Sequence, residues 1–329
     1  MGIRIIGTGS YTPEKVLTNQ DLEKMVETSD EWITTRTGIK ERHIAADNQI
    51  TSDLALEASK NALEAAGIGP DDLDGIIVAS FTVDRLLPAT ACILQQKLGV
   101  SNKCLCFDMQ AACSGLLYGI NVADSMLNFN PGINRMLVVG AEKLSSIVDW
   151  TDRTTCVLFG DGAAAIVLES TDDTDEDCMV ASNLGADGNY SNILQIPAGG
   201  TAMPMTKEAL DQKLNCIKME GQETFKLAVG NMVASCKKAL EDAGVSIEQV
   251  KWLVPHQANY RILKAVASRL KMPEERVYMN VDRFGNTSAA SIGLCLDEMA
   301  RGNMVQRGDY VLLTAFGGGL TWGAVLLRW

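Results

Sequence analysis

Two stretches of the chain repeat one pattern of apolar and polar positions. Lys60-Asn61-Ala62-Leu63-Glu64-Ala65-Ala66-Gly67-Ile68 returns as Lys237-Lys238-Ala239-Leu240-Glu241-Asp242-Ala243-Gly244-Val245. Each copy predicts the last turns of an amphipathic helix stopped by glycine. The match continues without a gap through an acidic turn into an apolar strand, Leu73 meeting Val250 and Ile76-Ile77 meeting Leu253-Val254. A looser echo closes each half: Phe159-Gly160-Asp161-Gly162 precedes the apolar run 163–168, and Phe316-Gly317-Gly318-Gly319 precedes 320–327. Two similarities in the same order predict an α/β chain built from two duplicated halves. The seam is expected at 170–177, where five of eight residues are acidic and read as a solvated linker. It divides the chain into 1–172 and 173–329. Residues 185–204, rich in Gly, Asn and Pro, are expected to form an excursion on the second half.

Residues 310–327 form a run of 18 without a charge, long enough to raise a membrane span. Gly317 to Gly319 interrupt it, so two short buried strands are the better expectation. The start of the chain lacks the apolar core of a signal peptide. At 329 residues, 47% hydrophobic and 21% charged, the composition suits a soluble two-domain α/β protein with a large core. A formal charge of −12 argues against general nucleic-acid binding, which depends on neutralising phosphates. Nine cysteines include no C-x-x-C pair, and the two histidines, His43 and His256, stand in no zinc-like spacing. A reducing, cytoplasmic protein without structural disulfides or metal is expected.

Gly7-Thr8-Gly9-Ser10 tempts a dinucleotide reading, but the third glycine is missing and Pro13 follows, so a tight turn is expected. No P-loop, HExxH or GxSxG motif occurs. Cys104 and Cys106 alternate in an apolar strand, while Cys92, Cys236 and Cys295 fall in helical patterns; each is expected to pack in the core. Cys113 differs. It sits among small residues between an apolar strand and the helix predicted over 116–129. A sharp turn there would project the sulfur, and a helix N-terminus would lower its pKa. Those are a nucleophile's requirements. His256 follows the strand around Trp252-Leu253-Val254 and replaces Ala79 of the first copy, at the strand end where α/β ligands gather. Asn286 opens a small-residue helix. Taken singly, the cysteine fits packing, the histidine a structural hydrogen bond, and the asparagine an N-cap. Together, all three stand at strand-to-helix junctions of the duplicated unit.

At these motifs the sequence resembles β-ketoacyl-acyl-carrier-protein synthase III, the initiating condensing enzyme of bacterial fatty-acid synthesis. The resemblance spans Gly7-Thr8-Gly9-Ser10-Tyr11, Ser29-Asp30-Glu31-Trp32-Ile33, Arg36-Thr37-Gly38-Ile39 and Glu41-Arg42-His43-Ile44-Ala45. It continues through Ala111-Ala112-Cys113-Ser114-Gly115, His256-Gln257-Ala258-Asn259, Gly285-Asn286-Thr287-Ser288 and Phe316-Gly317-Gly318-Gly319-Leu320-Thr321-Trp322-Gly323. It implies the thiolase-like duplicated αβαβα fold and a homodimer. It also implies a Cys113 nucleophile, His256 and Asn286 as catalytic partners, and an oxyanion hole from the Cys113 and Gly318 amides. Acyl-CoA and malonyl-acyl-carrier-protein would be substrates, with no cofactor, nucleic acid or membrane involved. Elongating ketosynthases need a second histidine beside the cysteine, and degradative thiolases a second cysteine near the C-terminal glycines; neither is available here. Plant-type polyketide synthases, a Cys-His-Asn hydrolase and an inactive scaffold remain as alternatives.

By the same resemblance Trp32 and Arg153 would sandwich the CoA adenine, with Thr28, Arg36 and Asn259 along its tail. A helix starting near Ala258 should carry Arg261, Lys264 and Lys271 on one face, opposite a stripe of Ile262, Leu263, Val266, Ala267 and Leu270. In an acidic chain this basic face suits the acidic carrier protein, placed on Gln257, Ala258, Asn259, Tyr260, Arg261 and Lys264. The segment 82–88 corresponds to one reaching the partner's acyl pocket. Leu87 falls where members preferring acetyl carry an aromatic, which implies a longer or branched primer.

Overall fold

In the computed structural model, which describes residues 2–173 and 177–329, two sheets share one strand order. Strands β1 (Gly2–Tyr11), β2 (Gly75–Ala79), β3 (Leu105–Met109), β4 (Arg135–Glu142) and β5 (Gly162–Thr171) form the first sheet in the order β1-β5-β4-β2-β3. Strands β6 (Met179–Ala186), β7 (Val250–Pro255), β8 (Tyr310–Gly317) and β9 (Thr321–Arg328) form the second in the order β6-β9-β8-β7. Strand directions correspond as well. The β1–β5 and β5–β4 pairs and their counterparts β6–β9 and β9–β8 are antiparallel, whereas β4–β2 and β8–β7 are parallel. The fifth strand of the first sheet keeps a remnant in the second, a parallel bridge of Val277 to Leu253. The repeated motif is thus the trace of a repeated topology.

The helices positioning the site are α1 (Asp30–Thr37), α2 (Thr51–Ala66), α3 (Thr90–Leu98), α4 (Gly115–Phe129), α5 (Gly221–Ala243), α6 (Tyr260–Leu270) and α7 (Ser291–Arg301). α2 and α5 end, as expected, on Gly67 and Gly244 in left-handed geometry, φ 67° and 64°. Leu116, Leu117 and Ile120 of α4 share one core with Ile292, Leu296 and Met299 of α7, and with Val138 and Leu313 of the two sheets. α4 and α7 are therefore the middle layer. α2 and α3 cover the outer face of the first sheet, and α5 and α6 that of the second, giving αβαβα. Central strands buried on both faces must be apolar throughout, which is why β2 reads Gly-Ile-Ile-Val-Ala with every residue buried. The uncharged run 310–327 resolves into the β8–β9 hairpin. Among the described residues no helix is long and apolar enough to cross a membrane.

Three expectations change. Gly7 and Gly9 lie inside β1, not in a turn; a side chain on either would collide with the backbone of α2 at Ala58 to Ala66. They are bare so that strand and helix can pack closely. Cys92 is exposed on α3, and Cys104 and Cys106 are only half-buried, because β3 is a sheet edge with no neighbour beyond it; Cys236 and Cys295 are buried. Of the acidic seam expected as a linker over 170–177, Ser170 and Thr171 are the last residues of β5 and pair with β1, and residues 174–176 lie outside the described residues.

Candidate active site

Two strand-to-helix junctions, one from each half, meet at the middle layer. After β3 the chain passes Ala112 at φ 46°, makes the 3-10 turn Ala112–Ser114 and enters α4. In the second half the turn Ser288–Ala290, with Ser288 at φ 50°, leads the same way into α7. Ser288 Oγ donates to Cys113 Sγ at 3.3 Å, and Ser288 N donates to Asn286 Oδ1 at 2.9 Å. His256, just past β7, is fixed by a 2.7 Å hydrogen bond between Nδ1 and the hydroxyl of Ser291, the first residue of α7. Cys113, His256 and Asn286 are all buried; Ser288 links the cysteine to the asparagine, and Ser291, three residues on, holds the histidine.

The β8–β9 turn closes the third side. A Cβ on Gly317 would lie 2.6 Å from Cys113 N, so only a bare backbone fits there. Thr321 Oγ1 donates to Ala111 O at 2.8 Å and Ser114 Oγ to Thr321 O at 3.3 Å, holding the turn against the nucleophile's junction. Gly318, expected in the oxyanion hole, is the next residue of this turn.

Burial pushes the Cys113 thiol up to about 12, the nearby Glu142 carboxylate adds to the shift, and the Ser288 hydroxyl opposes it. This reverses the expected lowering. The turn carries the sulfur inward, where the loss of water outweighs the helix N-terminus. Burial takes His256 down to about 3, so its ring is neutral. Among the described residues, His256 Nε2 and Asn286 Nδ2 have no hydrogen-bond partner. Glu142, fully buried at the end of β4, accepts from Thr82 Oγ1 at 2.5 Å, Thr82 N at 3.1 Å and Ser80 Oγ at 3.1 Å. Burial lifts its carboxyl to about 8. Nothing in the sequence singles out Glu142 or Ser291, and Ser288 stands there only as the last residue of the Gly285-Asn286-Thr287-Ser288 motif, with no role attached. No His, Cys, Asp and Glu cluster among the described residues could hold a metal ion.

Farther out, Ser29 caps α1 by accepting from Trp32 N at 3.1 Å. The guanidinium carbons of Arg36 and Arg153 lie 4.6 and 5.3 Å from the centre of the Trp32 ring. A base between Trp32 and Arg153 needs two contact distances, about 7 Å in all, so Arg153 has to swing outward to admit one. Thr28 Oγ1 is buried and, among the described residues, has no hydrogen-bond partner. Asn259 caps α6, accepting from Ile262 N at 3.0 Å. The end of α1 packs on the start of α6, a Cβ on Gly38 meeting Tyr260 Cβ at 2.6 Å, so these residues border one rim.

On α6 the expected apolar stripe is buried, and Arg261 and Lys264 are exposed. Arg261 lies over the Phe225 ring at 5.8 Å, whereas Lys264 is 3.7 Å from Glu274, which also takes the Tyr260 hydroxyl at 2.6 Å. Lys271 stands past the helix as its left-handed cap. Ala258 is half-buried. Gln257 is not on the surface at all. It is 1% exposed, donates to Pro255 O at 2.6 Å and accepts from Asn280 N and Val281 N, clamping the chain beside His256. Its polarity serves buried backbone groups, which sequence position alone did not reveal. Leu87 is 85% exposed.

Comparison with known proteins shows what the chain as a whole is similar to. Residues 107–188 match the family described as 3-oxoacyl-[acyl-carrier-protein] synthase III, and residues 240–329 its C-terminal counterpart. The β-ketoacyl-[acyl-carrier-protein] synthase III of Caldanaerobacter subterraneus is 51% identical over 325 residues, 99% of this chain and 97% of that one. The crystal structure of 3-oxoacyl-[acyl-carrier-protein] synthase III from Aquifex aeolicus superposes with a TM-score of 0.91 at 47% identity, covering 100% of both chains. A priming β-ketosynthase of a polyketide pathway gives 0.90 at 31%, over 99% of this chain and 96% of that one. With half its residues shared end to end with such relatives, and the same layered fold, the chain belongs to the β-ketoacyl-acyl-carrier-protein synthase III family.

Proposed function

We propose that the protein carries out a decarboxylative Claisen condensation, joining the acyl group of an acyl-CoA to malonyl-acyl-carrier-protein to give 3-oxoacyl-acyl-carrier-protein, CO₂ and CoA. The observation carrying this is the junction where Cys113, Ser288, Asn286 and the His256–Ser291 pair converge from both halves. Cys113 takes the acyl group and CoA leaves. Loss of CO₂ from the bound malonyl group then creates the carbanion without a base removing a C–H proton. The neutral His256 carries one ring proton, and the tautomer this role needs has it on Nε2, with Nδ1 accepting from Ser291. That N–H and Asn286 Nδ2–H are then the donors for the enolate oxygen. A preorganised donor of this kind is worth about 2.7–4 kcal/mol of barrier. The carbanion attacks the acyl thioester, and the Cys113 and Gly318 amides receive the resulting oxyanion. No cofactor is required.

Acyl-CoA would lie along Trp32, Arg36, Thr28 and Asn259, and the carrier protein on the neighbouring Arg261 and Lys264 face. The exposed Leu86 and Leu87 and the unpaired edge of β3 support a homodimer, with Leu87 entering the partner's acyl pocket. The cytoplasm is the fitting location. Priming of a specialised, polyketide-like pathway is the alternative, favoured by the likeness to the polyketide priming ketosynthase.

Two substitutions separate the substrate sites. Arg261→Glu is expected to cut condensation with malonyl-carrier-protein at least about tenfold while leaving self-acylation from acyl-CoA unchanged, because it reverses a steering charge. Equal loss of both steps removes the carrier assignment. Trp32→Ala should raise KM for acyl-CoA about tenfold at unchanged kcat, through the lost base stacking. An unchanged KM places the adenine elsewhere.

A further inference from the structure

We propose that Ser288 is a further catalytic residue, whose hydroxyl holds the Cys113 sulfur as a thiolate both when it attacks and when it is expelled. This rests on Cys113 being the nucleophile, as read above. Among the described residues the Ser288 hydroxyl is the one side-chain donor on that sulfur, at 3.3 Å, and both groups are buried. His256 cannot use Nδ1 for this purpose, since that atom is held by Ser291. Among the described residues no lysine or arginine hydrogen-bonds the sulfur, and the carboxylate of Glu142 disfavours its ionisation. A hydrogen bond to the anion is then the means by which this site offsets burial, and such a bond is stronger to a thiolate than to a thiol.

The backbone supports the assignment. Ser288 is held at φ 50°, a conformation that non-glycine residues adopt at a cost, and its own N–H is tied to Asn286 Oδ1. The equivalent junction of the first half makes the same turn with Ala112 at φ 46°. The fold therefore needs the turn but not the hydroxyl. The hydroxyl occurs only on the copy that faces the sulfur.

In the first step the Cys113 sulfur forms a bond to the acyl carbon and the bond from that carbon to the CoA sulfur breaks. The proton lost by Cys113 ends on the CoA thiol. Ser288 keeps its own proton throughout. In the second step the carbanion forms the new C–C bond, the acyl carbon releases the Cys113 sulfur as a thiolate, and the same hydroxyl receives it.

The test is the rate of Cys113 alkylation by iodoacetamide at one mildly alkaline pH, beside the rate of acylation by acetyl-CoA. Ser288→Ala reproduces what the first half already carries at this turn. Ser288→Gly removes the hydroxyl and relaxes the backbone. Both are expected to slow alkylation about tenfold, corresponding to a thiol pKa higher by about one unit, and to slow acylation about 10- to 100-fold. Wild-type alkylation rates in either folded variant overturn the proposal. Because alkylation requires no acyl-CoA, slowed alkylation in a protein that no acyl-CoA modifies supports the role of Ser288 and removes the proposed substrate instead.

Discussion

Cys113→Ala is expected to abolish acyl transfer: incubated with acetyl-, isobutyryl- or octanoyl-CoA and weighed intact, the variant gains no acyl mass where the native chain gains one. The expectation rests on position. Of the nine cysteines, Cys113 stands where both halves and the β8–β9 turn converge, whereas Cys236 and Cys295 are sealed in the core and Cys92 lies on an outer helix. Removing a covalent nucleophile from an acyl-transfer site costs on the order of 10⁶ in rate, so residual turnover should fall below detection. An adduct that persists in the variant and maps to Cys92 records nonspecific acylation of an exposed thiol. The same experiment reads the primer. If Leu87 gates the acyl pocket as proposed, the branched or longer donor is preferred, and a strong preference for acetyl-CoA contradicts that. No adduct from any donor, with the protein folded, removes acyl-CoA as the donor.

His256→Ala is expected to lower condensation about 100- to 1000-fold, the equivalent of one preorganised donor, while self-acylation continues. The two steps divide because the donor is needed for the enolate that forms on decarboxylation. Burial fixes the protonation state as well. With a folded pKa of about 3 against about 6.5 in the unfolded chain, His256 binds its proton mainly in the unfolded state. Its contribution to stability is thus fully present above pH 6.5 and is lost as the pH falls toward 3, at about 1.4 kcal/mol per pH unit within that window. Urea unfolding of native and His256→Gln protein at neutral and acidic pH isolates the effect: the native chain should lose more stability on acidification than the variant. The condensation rate should carry no inflection near pH 6.5 from this residue. An inflection there that disappears in His256→Gln shows a histidine that takes up protons during turnover and refutes the neutral donor.

The large features of the fold were legible because they are carried by local pattern. Gly67 and Gly244 end helices for a reason visible in the chain itself, and strands buried on both faces announce themselves as unbroken apolar runs. The positions of Cys113, His256 and Asn286 followed from the duplication, since equivalent junctions come together when the halves pack. What depended on neighbours distant in sequence was not legible. Gly7 and Gly9 look like a turn until α2 is laid against β1. Gln257 looks like a surface residue until Asn280 and Val281 present their amides to it. The direction of the Cys113 shift required knowing that its turn points inward. A helix N-terminus by itself predicts the opposite sign.

The placement of α4 and α7 in one shared layer separates two kinds of evolutionary freedom. Cys113 and Ser288 stand in the turns that lead into two helices packed against each other, so their spacing is set by the most constrained part of the core. Trp32, Leu87 and Arg261 stand on peripheral elements that this layer does not contain. On the roles proposed for these residues, a descendant lineage could change its primer, its handle or its carrier by altering the rim, one residue at a time, and inherit the bond-forming step intact. Changing the chemistry itself would require moving both halves together.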